Sequence, residues 1–267
     1  MANFNLIKLF LIRDLNIFIS YRFAALGAFI LIFLNIFVFF FFSEYIDSLA
    51  NFDDKKNSYF YYVLYGLAIS DVSLMIVNKL CNEIRNYQLI GVMEYVATSK
   101  IGAVNAFMCS YAFPTFLSLL RIIFYFLIGE AISGYPFFSS LSLSFFILFF
   151  IFIISTSGIG MMAAAFIVFF KKGNPIGQIY LLLSSGIGGV FFPANVYPEI
   201  IEKLSYLLPI KHFLDILRIR NESISYEEVL PSLMMLLLLA IIYFLLGTLT
   251  IKYSVKMAKM HGNLNVY

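Results

Sequence analysis

The sequence predicts an all-α integral membrane protein with six transmembrane helices, an N-terminal interfacial helix, a short cytoplasmic helix and an outer re-entrant helical hairpin. Of its 267 residues, 62% are hydrophobic and 12% are charged, whereas about one quarter of an ordinary soluble domain is charged. The apolar residues also form runs of about 17 to 25 residues, the length that crosses a bilayer. We therefore expect residues 1–267 to form a single transmembrane domain.

Six runs have the length and apolarity of transmembrane helices, and they cover residues 24–42, 59–77, 104–128, 141–170, 175–192 and 231–251. The segment 3–21 precedes them and mixes apolar residues with polar ones, including Lys8, Arg13 and Asn16. Its polar positions recur at helical spacing, which predicts a helix lying on the membrane surface. The alternative is that this segment simply extends the first transmembrane helix.

The basic residues indicate the orientation. A cytoplasmic N-terminus places eleven lysines and arginines in the cytoplasmic segments and six in the outer segments. Because basic segments stay on the cytoplasmic side, we expect both termini to be cytoplasmic. Cys81 then lies in a cytoplasmic loop and Cys109 near the cytoplasmic end of a helix, so a disulfide is not expected. A net charge of +3 is too small to indicate a nucleic-acid partner.

Two ionisable residues, Asp71 and Arg121, fall inside predicted transmembrane runs. Such groups are costly in a bilayer and usually face protein or water. At 1.5 Å per residue, the predicted boundaries place them at depths that differ by roughly 16 Å, so direct pairing is not expected. Each residue could line a path through the membrane, bind at an interface between subunits or fill a buried structural role, and these alternatives remain open.

The cytoplasmic segment 78–103 is longer than a simple hairpin needs. Ile90, Met93 and Val96 lie at helical spacing, opposite Glu94. This pattern predicts a short amphipathic helix. Such a helix either offers its surface to a cytoplasmic protein or rests on the lipid headgroups.

The outer segment 193–218 contains Pro193, Pro198 and Pro209, which should break the backbone into short pieces. It has too many apolar residues for a solvated loop and too few for a complete crossing. Short helices that dip into the outer leaflet satisfy both constraints, because helical backbone bonds itself and the breaks can pack against protein.

Taken in order, these features resemble the ABC-2 type permeases, the membrane subunits of one class of ATP-binding-cassette exporters. The resemblance covers essentially the whole chain. It rests on Gly91, Glu94 and the Thr98-Ser99 pair of the cytoplasmic helix, and on the proline-rich stretch 189–218 before the last run. Lys100 departs from the pattern, since many members have proline at that position.

The resemblance implies export of an amphipathic or lipid-linked substrate, such as a drug, a lipid or a lipid-linked polysaccharide, across a bacterial plasma (inner) membrane. Gly91, Glu94 and Thr98 would belong to a coupling helix that docks on the ATPase. The outer gate would contain Phe192, Pro193, Pro198 and Pro209. Two copies would face each other as a homodimer in contact with membrane lipid.

The chain lacks a Gly-x-x-x-x-Gly-Lys-[Ser/Thr] loop, so we expect ATP and Mg to be bound by a separate nucleotide-binding ATPase and no cofactor by this chain. It is not expected to be an enzyme, because it offers little material for a His, Asp or Cys constellation. No metal site is predicted, since His212 and His261 fall on opposite sides of the membrane. The alternative function is an ion-coupled secondary transporter that uses Asp71 and Arg121, although no convincing internal repeat is present.

Overall fold

The computed structural model is all-helical over the residues that it describes, which are 2–50, 59–171, 173–221 and 226–262. The α-helices of this part of the chain are α1 (Ala2–Ser20), α2 (Arg22–Ala50), α3 (Tyr59–Ile90), α4 (Met93–Thr98), α5 (Ala103–Ser110), α6 (Ala112–Ser133), α7 (Leu143–Phe170), α8 (Pro175–Ile187), α9 (Glu199–Ser205), α10 (Pro209–Asn221) and α11 (Tyr226–Met260). Short 3-10 turns at Phe137–Ser140 and Ala194–Val196 precede α7 and α9.

Within the described residues, five helical stretches are long and apolar enough to cross a membrane, which supports a multi-pass membrane protein. They are Arg22–Ser48, Tyr59–Ile90, Ala103–Ser133, Leu143–Phe170 and Val229–Met260. The fifth predicted run, 175–192, forms only the 13-residue helix α8. Gly189 turns the chain just beyond this helix, with φ of 79° in the left-handed region that commonly ends helices. The six-helix arrangement is therefore not confirmed.

Helix α3 is longer than the sequence indicated, because it continues to Ile90 instead of ending at residue 77. The additional 13 residues add about three and a half turns. They keep an apolar face buried against the bundle through Leu80, Cys81 and Ile84. Cys81 thus lies inside a buried helix, and its predicted position in a loop is wrong.

Helix α7 packs closely against both α3 and α11. A Cβ atom on Gly158 would lie 2.3 Å from the backbone carbon of Tyr243 in α11, and one on Gly247 would lie 2.4 Å from the carbonyl oxygen of Gly158. On the other side of α7, a Cβ atom on Gly160 would lie 3.0 Å from the carbonyl oxygen of Val77 in α3. Glycine therefore allows these three helices to approach backbone to backbone.

Helices α2 and α11 form outward surfaces of the bundle. The most apolar part of α2 is only 11% buried and that of α11 only 17%, against 67% for both α3 and α7. Many of their exposed side chains are large and apolar, including Phe33, Leu34 and Leu245. Such surfaces suit contact with lipid or with another membrane protein.

Candidate functional site

The two ionisable residues of the predicted runs meet in the structure. Arg121 Nε lies 3.1 Å from Asp71 Oδ2, so the side chains form an ion pair between α6 and α3. The expectation that they do not pair is therefore wrong. Because α3 continues to Ile90, Asp71 lies 19 residues from the end that leads into α4, and Arg121 lies 18 residues from Ala103 at the start of α5. The two residues are consequently at the same level of the bundle.

A cavity of about 770 Å³ opens beside this ion pair, and we call it the α1–α3–α6 cavity after the helices that contribute most of its wall. Apolar side chains, among them Phe18, Met75 and Phe113, line it together with the two charged residues. The Arg121 side chain is 16% exposed and that of Asp71 is 18% exposed, so neither is sealed in the protein interior. A volume of this size suits a small molecule or a lipid headgroup.

A second cluster of charges lines the same cavity, nearer to α4. Arg13 Nη2 lies 2.6 Å from Glu83 Oε1, and Lys79 Nζ lies 2.6 Å from Asp14 Oδ2. The Tyr87 hydroxyl also donates to Glu83. Burial lowers the pKa of Arg13, but the charge of Glu83 and its hydrogen bond more than offset this and hold that pKa above its ordinary value. The cluster fastens α1 to α3.

This second cluster could not be recognised from the sequence. Lys79 and Glu83 are four residues apart, which is a visible helical spacing. Their partners in α1 lie 65 to 70 residues away along the chain. No local pattern connects residues that distant, so only the packing of α1 beside α3 identifies the pairs.

The predicted cytoplasmic amphipathic helix is present as α4. Gly91 precedes it with φ of 78°, in the left-handed region that favours glycine. Met93 and Ala97 are buried, whereas Glu94 and Thr98 are exposed. Helix α4 therefore has one face on the bundle and another that presents a carboxylate and a hydroxyl to the surroundings.

A contact from the other end of the chain holds the last turn of α4. Lys259 of α11 donates a hydrogen bond from Nζ to the carbonyl oxygen of Ala97. A cation at this position is favourable, because carbonyl groups at the C-terminal end of a helix carry partial negative charge. Ile90, which the pattern placed on the buried face, is 74% exposed because it belongs to the last turn of α3.

The outer segment is divided at its prolines, as the sequence predicted. Pro193 precedes the second 3-10 turn, Pro198 precedes α9 and Pro209 begins α10. Phe192 is exposed together with the first two prolines, whereas Pro209 is buried. Several apolar side chains of this segment are also exposed, and Ile200 is 76% exposed. The segment thus carries an apolar surface that nothing in the described part of the chain covers.

Arg218 ties this outer segment to α3. Its Nη1 donates to the carbonyl oxygen of Gly189 at 2.8 Å, and its Nη2 donates to that of Tyr62 at 2.9 Å. The guanidinium also lies 3.4 Å from the centre of the Tyr62 ring. Burial lowers the pKa of Arg218, and Tyr62 opposes that effect. We call this contact the Arg218 clamp.

Comparison with known proteins places these features in a family. Residues 43–249, more than three quarters of the chain, match the family model described as ABC-2 family transporter protein. Neither a curated protein nor a solved structure matches the chain. The matched range contains Asp71, Arg121, α4 and the outer segment, and it leaves α1 outside.

Proposed function

The chain belongs to the ABC-2 transporter family, and on that premise we propose that it is the membrane permease of an exporter driven by a separate ATPase. The ATPase binds ATP and Mg, whereas this chain supplies the path through the membrane. Helix α4 is the coupling helix. Its exposed Glu94, presented beside Thr98 by a helix that is anchored on its other face, is the observation on which this assignment rests.

The coupling helix is connected to the helices that would have to move. Met93 and Ala97 attach it to the bundle, and Lys259 links its last turn to α11. Helix α11 in turn packs closely against α7. A displacement of α4 by an ATPase is therefore passed to the central helices through direct contacts, with no intervening loop.

The experiment uses the tagged full-length chain, purified from its own membranes with the subunits that accompany it. We expect ATP hydrolysis to co-purify with the wild-type chain. The Glu94→Ala variant should have roughly 10- to 100-fold less of this activity, because a hydrogen bond to a charged group contributes about 1.5–3 kcal/mol and each 1.4 kcal/mol is about a factor of ten. The matched control is Glu44→Ala, which removes another exposed glutamate, near the end of α2. Absence of any co-purifying ATPase, or full activity with Glu94→Ala, would refute the proposal.

Both termini face the cytoplasm in this proposal, and the protein lies in the bacterial inner membrane. Arg13 near the N-terminus pairs with the part of α3 that leads into α4, and Lys259 near the C-terminus contacts α4 itself. These contacts support the proposal that both termini lie at the same end of the bundle as the coupling helix. A cytoplasmic ATPase that docks on α4 then fixes that end as the cytoplasmic one.

Six crossings also belong to the proposal, with α8 as the additional one. Asn174, just before α8, donates to Asn78 of α3, whereas Gly189, just after α8, contacts Tyr62 of α3. These two levels of α3 are 16 residues apart, or roughly 24 Å at 1.5 Å per residue. That distance is most of the thickness of a bilayer core, which is about 30 Å. Helix α8 and the turn after it therefore return the chain to the outer side before α11 begins.

The outer segment, with Phe192, Pro193, Pro198 and Pro209, acts as a re-entrant hairpin and external gate. Its exposed apolar surface supports a position in the outer leaflet or against a second copy. Two copies related by a two-fold axis would enclose the path as a homodimer. The substrate is an amphipathic or lipid-linked molecule. An ion-coupled secondary transporter is not favoured, because the family couples transport to an ATPase.

A further inference from the structure

The α1–α3–α6 cavity has an arrangement of polar groups that the coupling and gate assignments do not use. Its wall contains the ion pair of Asp71 and Arg121. Along α3, Asn78, Asn82 and Asn86 also line it, and their spacing of four residues places them on one side of the helix. A stripe of amide side chains thus runs along the wall from the level of α4 towards the ion pair.

The ion pair retains unused hydrogen-bonding capacity. A guanidinium has five N–H donors, and Arg121 directs Nε at Asp71 and Nη1 at the sulfur of Met75, 3.7 Å away. Within the described residues, Nη2 has no partner. Asp71 Oδ2, the oxygen beside Arg121, is buried. The other carboxylate oxygen, Oδ1, has no hydrogen-bond partner within the described residues and is the oxygen open to a ligand. The pair therefore offers a donor and an acceptor side by side.

The charge of the cavity restricts the ligand. Three basic side chains (Arg13, Lys79, Arg121) and three acidic ones (Asp14, Asp71, Glu83) line it, so its formal charge is zero. A net anion would be repelled by Asp71, and a net cation by Arg121. A zwitterion places its anionic group on the arginine and its cationic group on the aspartate, and each contact is a charge-assisted hydrogen bond.

The remaining wall is apolar. Phe18 and Ile17 of α1, Leu74 of α3 and Phe113 of α6 line the cavity, and Ala24 and Ala25 leave room at the start of α2. A ligand that fills about 770 Å³ beside these residues must carry an apolar portion as well as its polar group. The combination is that of an amphipath.

We propose that the α1–α3–α6 cavity is a binding site for a zwitterionic amphipath whose phosphate contacts Arg121 and whose primary ammonium contacts Asp71. Asn78, Asn82 and Asn86 bind the polar headgroup as it moves from the level of α4 to the ion pair, and the apolar side chains of the wall, including Phe18 and Phe113, contact the apolar chains. This inference rests on the proposed function, because it identifies the class of molecule that the permease takes up from the inner leaflet.

The probes are phosphatidylethanolamine, phosphatidylcholine and phosphatidylglycerol with identical acyl chains, added to the delipidated full-length protein. Retained lipid is counted by native mass spectrometry. We expect phosphatidylethanolamine to be retained about tenfold more than phosphatidylglycerol, since two charge-assisted contacts are at stake. Phosphatidylcholine should fall below phosphatidylethanolamine, because its quaternary ammonium has no N–H to donate.

Two variants test the position of the site. The double substitution Asp71→Asn with Arg121→Gln keeps the charge balance and should abolish the preference for phosphatidylethanolamine. Ala25→Trp fills the apolar part without altering the ion pair and should lower the retention of all three lipids. Arg85→Gln is the matched control, because this arginine is exposed on α3 and does not line the cavity.

Equal or stronger retention of phosphatidylglycerol would overturn the zwitterion assignment. An unchanged preference for phosphatidylethanolamine in the double variant, or unchanged retention of the three lipids by Ala25→Trp, would overturn the site, provided that each variant is monodisperse by size exclusion. The ATPase measurement is independent of these outcomes. If the wild-type protein shows no lipid preference although its coupling through Glu94 is intact, this inference alone is refuted. If the wild-type protein retains phosphatidylethanolamine specifically but no ATPase co-purifies, the proposed function alone is refuted.

Discussion

Substitution of Gly158 by alanine tests the backbone contact at the centre of the bundle. The added Cβ would lie 2.3 Å from both the carbonyl carbon and oxygen of Tyr243 and 2.6 Å from the amide nitrogen of Phe244. All three atoms belong to the backbone of α11 and cannot rotate away. Ordinary contact begins near 3.4 Å, so the helices must separate by about 1 Å. Overpacking of this kind costs about 1–3 kcal/mol, and we expect the upper end of that range.

The assay is thermal unfolding of the detergent-solubilised protein. Unfolding is monitored as the decrease, with temperature, of the fraction of protein that remains monodisperse. A loss of about 3 kcal/mol should lower the midpoint by roughly 6–12 °C. Gly27→Ala is the matched control. Gly27 lies in a different membrane helix, α2, and a Cβ atom added to it would meet nothing within 4 Å. It should be neutral or slightly stabilising, since alanine favours the helical state. Equal midpoints for Gly158→Ala and Gly27→Ala would refute the reasoning. Gly247→Ala combined with Gly158→Ala should cost less than the sum of the two, because both disturb the same contact.

Two further substitutions test the polar contacts that only the structure revealed. Glu83→Gln leaves the second charge cluster with an excess positive charge and should destabilise the protein by about 1–3 kcal/mol. This loss is smaller than that for a fully buried ion pair because Arg13 is partly exposed. An unchanged melting midpoint would contradict this prediction. Arg218→Gln removes the Arg218 clamp and should increase labelling of a cysteine introduced at Val190 several-fold, because Val190 is 1% exposed and follows the Gly189 carbonyl that Arg218 holds. Lys203→Gln on exposed α9 is the control, and equal labelling in the two variants would count against the clamp.

The membrane-embedded class of the protein could be predicted from the sequence because it depends on local composition. Runs of apolar residues need no partner to be recognised, and five of the six coincide with helices long enough to cross a bilayer. The division at the prolines was also predictable, since proline acts on its own backbone. The fifth run forms only a 13-residue helix because Gly188 and Gly189 end α8 inside an otherwise apolar stretch, and its crossing of the membrane stays a prediction.

The depth of Asp71 was mispredicted for a related reason. The mixed segment 78–90 looks too polar for a membrane run, but its apolar residues keep one face of α3 buried against the bundle. The length of α3 was therefore decided by packing and could not be predicted from composition alone. An error of 13 residues in one boundary was enough to separate Asp71 from Arg121 in the predicted topology.

By itself, then, the sequence determined that the chain is a helical membrane protein, where most of its helices lie, and that it resembles the family to which its residues 43–249 belong. Only the tertiary structure decided which charges pair. Arg218 reaches Tyr62 across 156 residues, and Arg13 reaches Glu83 across 70. The physical reason is that a side chain's partner across a bundle depends on the length, register and rotation of two separate helices, whereas the propensity to enter a bilayer is a property of each segment alone.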